Sequence, residues 1–292
     1  MQTIVLKHGG QPRKYVLWRA PANALPLVVF LPGTGGTAEW AADECRLPFF
    51  AALNGFSLVV AEALPPDPSR PPKFLTNPTR WNDGSPFPVS EPAVSEMETI
   101  NDDVDFLTVV IRDAIERTRA NAARVYLSGF SNGAGMTFRF AAERAELLAG
   151  IAPVAGLCWA NGVKPSRPVP TIYLIGDADP LVPLRGGDVR VPWGNRLISR
   201  PPATLAHWAT ANGCHAISTC VPEESFAIET YSHPMQVPFQ SVIIAGQGHH
   251  WPGGKGQLNP RIGGDIAETA PDANRLIWDF FELAGRNRCV GS

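Results

Sequence analysis

Residues 129–133 read GFSNG, and Ser131 at their centre is the residue of this chain best placed to act as a nucleophile. A G-x-S-x-G match draws its meaning from context, which should be strand, then motif, then helix. Here ARVYLSGF at 123–130 predicts a strand, and NGAGMTFRFAAERA after the serine predicts a helix. So tight a strand-to-helix turn forces the serine into a strained backbone, while Gly129 and Gly133 leave room for the neighbouring strand and helix. The hydroxyl then projects at the carboxyl edge of the sheet, where open sheets with helices on both faces hold their ligands. The helix N-terminus beside it favours developing negative charge. The blander account is that Ser131 only caps the helix that follows.

A serine hydroxyl is a poor nucleophile without a base. The histidines are His8, His207, His215, His233, His249 and His250. Only GQGHHWPGG, directly after SVIIA, offers one on a loop behind a late apolar strand. Neighbours in an extended loop point different ways, so one of His249 and His250 faces the serine; position alone does not choose between them. An acid must orient the imidazole and stabilise its charged form. TIYLIGDADPLVP places Asp177 and Asp179 just past an apolar strand, and either fits, although Asp is also an ordinary turn residue. The order Ser, Asp, His differs from the orders of the two large serine-protease groups. Backbone donors for an oxyanion are expected from Asn132, the residue after the serine, and from LPGTGG at 31–36, where Thr34 is the first choice and Gly35 the second. LPGTGG contains neither G-x-x-x-x-G-K-[ST] nor G-x-G-x-x-G, so it is not read as a phosphate loop.

The remaining pattern supplies elements to hold these residues. Runs at 3–7 and 13–18 predict an antiparallel hairpin around HGGQP. PLVVFLPG at 26–33 and FSLVVAEAL at 56–64 are unbroken apolar runs, as expected of central strands covered on both faces. Between them AADECRLPFFAALNG predicts one helix stopped at Gly55. Ile100, Val104, Leu107, Ile111 and Ile115 recur at helical spacing and predict an amphipathic helix within 98–119. GIAPVAG, TIYLIGD and SVIIAGQG predict three more strands; a helix around 203–212 and a strand at 226–232 lie between the last two. PDANRLIWDFFELAG predicts a closing helix ended by Gly285. Strands alternating with helices mean a mostly parallel sheet wrapped by helices. One α/β domain is expected over residues 1–292, with 65–97 and 178–202 as long loops beside the active site.

Hydrophobic residues make up 45% of the 292 positions, enough for a large core. With a net charge of −2 and no basic run, nothing suggests a nucleic-acid partner. No apolar run approaches the roughly 20 residues of a membrane span, and no protein partner is implied. The N-terminus alternates like a strand and lacks the pattern of a signal peptide, so the expected location is cytoplasmic or that of a secreted mature form. Cys45, Cys158, Cys214, Cys220 and Cys289 fit no zinc spacing; Cys214 and Cys220 could close a small loop in an oxidising compartment, or all five could be separate thiols.

LPGTGG, RWNDG, NDDVDFL, RVYLSGFSNGAGM, IAPVAG, GDADPLVP and GHHWPGG, in that order over about residues 26–254, resemble the polyhydroxybutyrate depolymerase, feruloyl esterase and acetylxylan esterase group of α/β-hydrolases. The resemblance implies an α/β-hydrolase fold, whose chain order is Ser, Asp, His, and implies Ser131 as nucleophile. In the group the acid is the one before proline, which implies Asp179. The histidine directly follows glycine and precedes x-W-P-G, which implies His249. The group usually has His-Gly where this chain has Pro32-Gly33, so a side chain supporting the oxyanion loop is absent here.

Trp40, Trp81, Trp159 and Trp251 fall in or near loops after core strands, and Trp81, Trp159 and Trp251 are expected to contact substrate as an aromatic wall. Arg80 is a candidate partner for a carboxylate, with a loop salt bridge as the plainer role. Together these residues predict a serine ester hydrolase with Ser131, His249 and Asp179 as its triad, Thr34 and Asn132 as oxyanion donors, no cofactor or metal, and a small-molecule or polymeric ester as substrate. The acyl groups expected are feruloyl or other aryl, acetyl or hydroxyalkanoate. A serine peptidase or thioesterase on the same fold, or a catalytically silent binding protein, are the competing readings.

Overall fold

The computed structural model describes residues 1–85, 102–159, 162–191, 194–198, 200–215 and 217–289. The part of the 65–97 loop from residue 86 onward, and Ile100, lie outside these residues. The chain runs β1 (Gln2–His8), β2 (Gln11–Trp18), β3 (Leu27–Leu31), α1 (Ala38–Glu44), α2 (Leu47–Asn54), β4 (Ser57–Ala61), α3 (Asp103–Thr118), β5 (Val125–Phe130), α4 (Asn132–Glu143), β6 (Gly150–Val154) and β7 (Thr171–Gly176). It continues through β8 (Gly187–Val191), β9 (Gly194–Ile198), α5 (Pro201–Ala211), β10 (Ile217–Pro222), β11 (Phe226–Tyr231), β12 (Phe239–Ile244), α6 (Pro260–Gly263) and α7 (Ala273–Cys289).

Among the described residues one ten-stranded sheet has the order β1-β2-β4-β3-β5-β6-β7-β12-β11-β10. Its six inner strands, β4 to β12 in that order, are parallel. Antiparallel pairs flank them, β1–β2 with β2–β4 at one end and β12–β11 with β11–β10 at the other. This is the α/β-hydrolase fold with an N-terminal antiparallel hairpin.

β3, β4, β5, β6 and β7 are buried along their whole lengths, which is why their sequences read as apolar runs rather than alternations. Successive residues still serve opposite faces. Leu27, Val29 and Leu31 of β3 enter one core layer with Phe106, Leu107 and Val110 of α3 and Met136 and Phe138 of α4. Val28 and Phe30 enter the other, with Ala41 and Ala42 of α1 and Trp278 and Phe281 of α7. α3 starts where the Asp102 side chain accepts the N–H of Asp105, and its apolar stripe is buried as its spacing requires.

Four expectations need correction. The single helix predicted over 41–55 is two, because Pro48 lacks an N–H and its ring clashes with a continuing helix; Arg46 turns the chain with φ 54° before α2 begins. Residues 178–202 are not only a loop, since they carry the β8–β9 hairpin. β10, an exposed edge strand with weak apolar alternation, was not predicted. Gly285 does not end the last helix, which continues to Cys289. A Cβ at Gly285 would lie 2.8 Å from the Tyr126 hydroxyl, so this glycine serves close packing of α7 on β5 rather than a cap.

β3 has β4 on one side and β5 on the other. The chain therefore leaves β3 in one direction and returns on its other flank. The loops after β3 and β5 diverge at the carboxyl ends and open a crevice there. The loops carrying Thr34 and Ser131 are these two.

Cys45, Cys214 and Cys220 are free thiols, so the Cys214–Cys220 loop closure is not formed. Burial pushes the Cys45 thiol well above its ordinary value and that of Cys214 up to about 11. Both are therefore protonated and shielded at pH 8, whereas Cys220 is exposed. Iodoacetamide at pH 8 should modify Cys220 within minutes and leave Cys45 and Cys214 unmodified until denaturant is added, as read by peptide mass mapping.

Candidate active site

Ser131 has φ 57° and ψ −119°, a conformation costly for any residue with a Cβ. Such strain, on the order of 1–3 kcal/mol, persists only where the surroundings hold it. Ser131 N–H donates to the Val154 carbonyl of β6 at 2.9 Å, and the Ser131 carbonyl accepts from Ala134 at 3.0 Å and Gly135 at 3.2 Å. The backbones around it nearly touch. A Cβ on Gly129 would lie 2.3 Å from the Gly133 carbonyl oxygen, and one on Gly133 would lie 2.0 Å from that of Leu31. These contacts are why the positions flanking the serine are glycine.

The structure brings Ser131, His249 and Asp179 into one hydrogen-bonded chain. His249 Nε2 lies 2.9 Å from Ser131 Oγ, and His249 Nδ1 lies 2.7 Å from Asp179 Oδ2. Asp179 and His249 are each 2% exposed. The other carboxylate oxygen of Asp179 accepts the N–H groups of Leu181 and Val182, both at 2.8 Å, so every interaction fixes its orientation. Asp177 does the turn work instead: its Oδ1 accepts the N–H of Gly246 at 2.7 Å. His250 points the other way, with Nε2 3.0 Å from the Gly264 carbonyl. Gln247, which sequence reading missed, fastens the histidine loop. Its side chain donates to the His250 carbonyl at 3.2 Å and accepts from Ala267 at 3.1 Å, while its own carbonyl accepts from Ala178 of the acid loop at 3.2 Å.

Asn132 and Thr34 line the same cavity as Ser131. The N–H of Asn132 precedes the start of the helical ladder, so no carbonyl of α4 accepts it. The N–H of Gly35, the second choice as donor, is already bound to the Thr79 carbonyl at 2.8 Å.

Of the tryptophans expected at the substrate, Trp159 lines the cavity, joined by Trp40. Trp81 and Trp251 do not, being only 1% and 2% exposed. Trp251 packs edge-on against Phe30 and Phe130 behind the histidine. Trp81 is a latch. Its indole N–H donates to the Pro32 carbonyl at 2.9 Å, its backbone N–H donates to Asn132 Oδ1 at 2.7 Å, and Asn132 Nδ2 donates back to the Trp81 carbonyl at 3.1 Å. The polar ends of Trp81 and Asn132 are drawn inward because each satisfies a buried backbone group on a loop of the site.

The latch is anchored by a buried ion pair that sequence reading did not identify. Arg13 Nη2 lies 2.7 Å from Asp103 Oδ1, with side chains 1% and 3% exposed. Asp103 Oδ2 accepts the N–H of Asn82, next to Trp81, at 2.7 Å. The Arg13 guanidinium lies 3.7 Å from the ring centre of Phe106. Burial lowers its pKa against the opposing pull of Asp103. Arg80, the candidate for binding a substrate carboxylate, instead pairs with Asp83 at 3.6 Å. Among the described residues there is no group of three or more His, Cys, Asp or Glu that could hold a metal ion.

Residues 18–194 match the phospholipase/carboxylesterase family. The chain belongs to this family and is a carboxylic ester hydrolase by class. NocK of Nocardia uniformis subsp. tsuyamanensis, a protein classed by its name as an esterase, is 30% identical over 90% of this chain and 79% of its own length. Feruloyl esterase B of Piromyces equi is 29% identical over 66% of this chain, which spans only 33% of that enzyme. Among solved structures, an acetyl xylan esterase from Aspergillus awamori superposes with a TM-score of 0.57 at 14% identity, covering 86% of this chain and 94% of that one. An S-formylglutathione hydrolase from Agrobacterium tumefaciens gives a TM-score of 0.58 at 11% identity, covering 98% and 94%. At such identities the two structures speak for the fold.

Two stability changes follow from this geometry. Gly133→Ala should cost at least ~3 kcal/mol, because its Cβ would meet backbone that cannot yield. Trp81→Phe should cost about 1–3 kcal/mol by leaving the Pro32 carbonyl without its donor. Urea unfolding followed by circular dichroism measures both; a Gly133→Ala midpoint equal to that of the parent would contradict the first.

Proposed function

We propose that this protein is a serine carboxylesterase in which Ser131, His249 and Asp179 act as a triad on esters with an aryl or other apolar acyl group. The supporting observation is the continuous chain from Ser131 Oγ through both ring nitrogens of His249 to Asp179. In this reading Asp179 holds the Nδ1–H of His249, which leaves Nε2 free to accept a proton. Ser131 Oγ attacks the ester carbonyl as its proton passes to Nε2. The carbonyl oxygen becomes an oxyanion that receives the N–H groups of Asn132 and Thr34, with the N-terminus of α4 adding favourable field. The tetrahedral intermediate collapses, and the alcohol departs with the proton from Nε2. Water, deprotonated by the same nitrogen, then releases the acid and restores the serine.

The aryl preference is supported by the cavity wall, where Trp40, Phe74, Phe130, Leu157 and Trp159 surround the serine. Such a wall suits a flat apolar group. The relationship to a feruloyl esterase points the same way. Acetyl and hydroxyalkanoate esters are the competing acyl groups, and amides and thioesters the competing bonds.

A fluorophosphonate should add one adduct to the intact protein, mapped to Ser131 and missing in Ser131→Ala. His249→Ala should label at least about 10³-fold more slowly, with His250→Ala close to the parent; kcat on an aryl ester should fall by about 10⁴–10⁶ in both triad variants. No adduct on folded protein would refute the hydrolytic mechanism. Faster turnover of an acetyl or hydroxybutyrate ester than of a cinnamate ester would refute the aryl preference.

A further inference from the structure

Asp83 lines the same cavity as Ser131, yet no step of the reaction uses it. It is 3% exposed, and it is the one Asp or Glu among the described residues that line this cavity. Its contacts fall on one side. Oδ1 accepts the N–H of Ser85 at 3.1 Å and the Ser85 hydroxyl at 2.6 Å, and it pairs with Arg80 at 3.6 Å. Among the described residues none donates a hydrogen bond to Oδ2. That oxygen lies over the first turn of α4, 2.4 Å from where a Cβ on Gly135 would stand. Gly135 lets the carboxylate in, since any side chain there would expel it.

Gly135 is four residues beyond Ser131, about 6 Å along the helix at 1.5 Å per residue. A group held by Oδ2 is therefore within one acyl chain's reach of the serine hydroxyl. Asp83 lines the cavity and Oδ2 has no donor among the described residues, so a donor arriving with the substrate meets a charged acceptor without displacing a protein hydrogen bond. Arg80 already offsets the negative charge, so the site is suited to a neutral donor more than to a cation. A second carboxylate would be repelled.

We propose that Asp83 determines specificity by accepting, through Oδ2, a hydrogen bond from a hydroxyl on the acyl group of the substrate. This rests on the esterase reading above and narrows it: the favoured substrate is an ester whose apolar or aromatic acyl group carries a free hydroxyl. A hydroxyl bound to a charged acceptor typically discriminates against the analogue that lacks it by about 10- to 100-fold.

The test compares kcat/KM for the methyl esters of 2-, 3- and 4-hydroxyphenylpropenoic acid with their methoxy counterparts and the unsubstituted ester. The parent should prefer at least one hydroxyl ester over its methyl ether by about 10-fold or more. Asp83→Asn and Asp83→Ala should bring that ratio to within about 3-fold of unity, chiefly through KM, while labelling of Ser131 by fluorophosphonate and turnover of the unsubstituted ester stay within about 3-fold of the parent. The ratio is internal to each variant, so a general loosening of the loop would not remove it. Normal labelling with no hydroxyl preference in the parent, or with the preference retained in both variants, would overturn this inference alone. Absence of labelling at Ser131 would overturn the esterase reading with it.

Discussion

The positive φ of Ser131 is the constraint around which the carboxyl edge of this sheet is arranged. The chain can hold that angle only because β6 captures the Ser131 N–H and the first turn of α4 captures its carbonyl. Both require backbones to approach closer than side chains permit. Gly129 meets Gly133, and Gly133 meets the carbonyl of Leu31 at the end of β3. The same contacts that strain the serine thus bring the loop after β3 against it, and with it the cavity-lining Thr34. Strain at the turn and assembly of the cavity wall have one cause.

Loops pressed together in this way must also be kept from sliding. Here that task falls to buried polar groups rather than to further apolar packing. Asn132 and Trp81 exchange two hydrogen bonds, the Trp81 indole reaches Pro32, and Asp103 holds the Asn82 N–H while paired with Arg13. Arg13 belongs to β2, so the network runs from the N-terminal hairpin, through the start of α3, to the serine turn. A hydrogen bond fixes direction as well as distance, which apolar contacts do not. Where the group usually carries His-Gly, this chain carries Pro32-Gly33, and the Trp81 indole bonded to the Pro32 carbonyl steadies that loop.

The central strands were legible because burial on both faces leaves one kind of sequence, an unbroken apolar run. The helix α3 was legible because burial on one face leaves another. Local rules failed where a residue served a distant contact. Gly285 looks like a helix stop but makes room for the Tyr126 hydroxyl across the core. Trp81 and Trp251 look like a substrate wall because they stand in loops beside the proposed catalytic residues. Each is instead turned inward by a partner far away in sequence, a carbonyl for one and aromatic rings for the other.

The sequence by itself determined the order of the central strands and of the helices α3, α4 and α7, the strained serine turn, and a short set of residues from which a triad could be drawn. Those are local properties, set by periodicity, glycine spacing and the loop that follows each strand. It narrowed the acid to Asp177 or Asp179 and the base to His249 or His250, with family resemblance favouring Asp179 and His249. Only the tertiary structure decided which of them meet, because alternate residues in an extended loop face opposite ways and the direction toward Ser131 depends on how three separate strand ends are stacked. Only the tertiary structure, likewise, turned Arg13 and Asp103 into a buried pair and set Asp83 in the cavity wall. Their partners are contributed by other parts of the chain, and no local pattern records where those parts will lie.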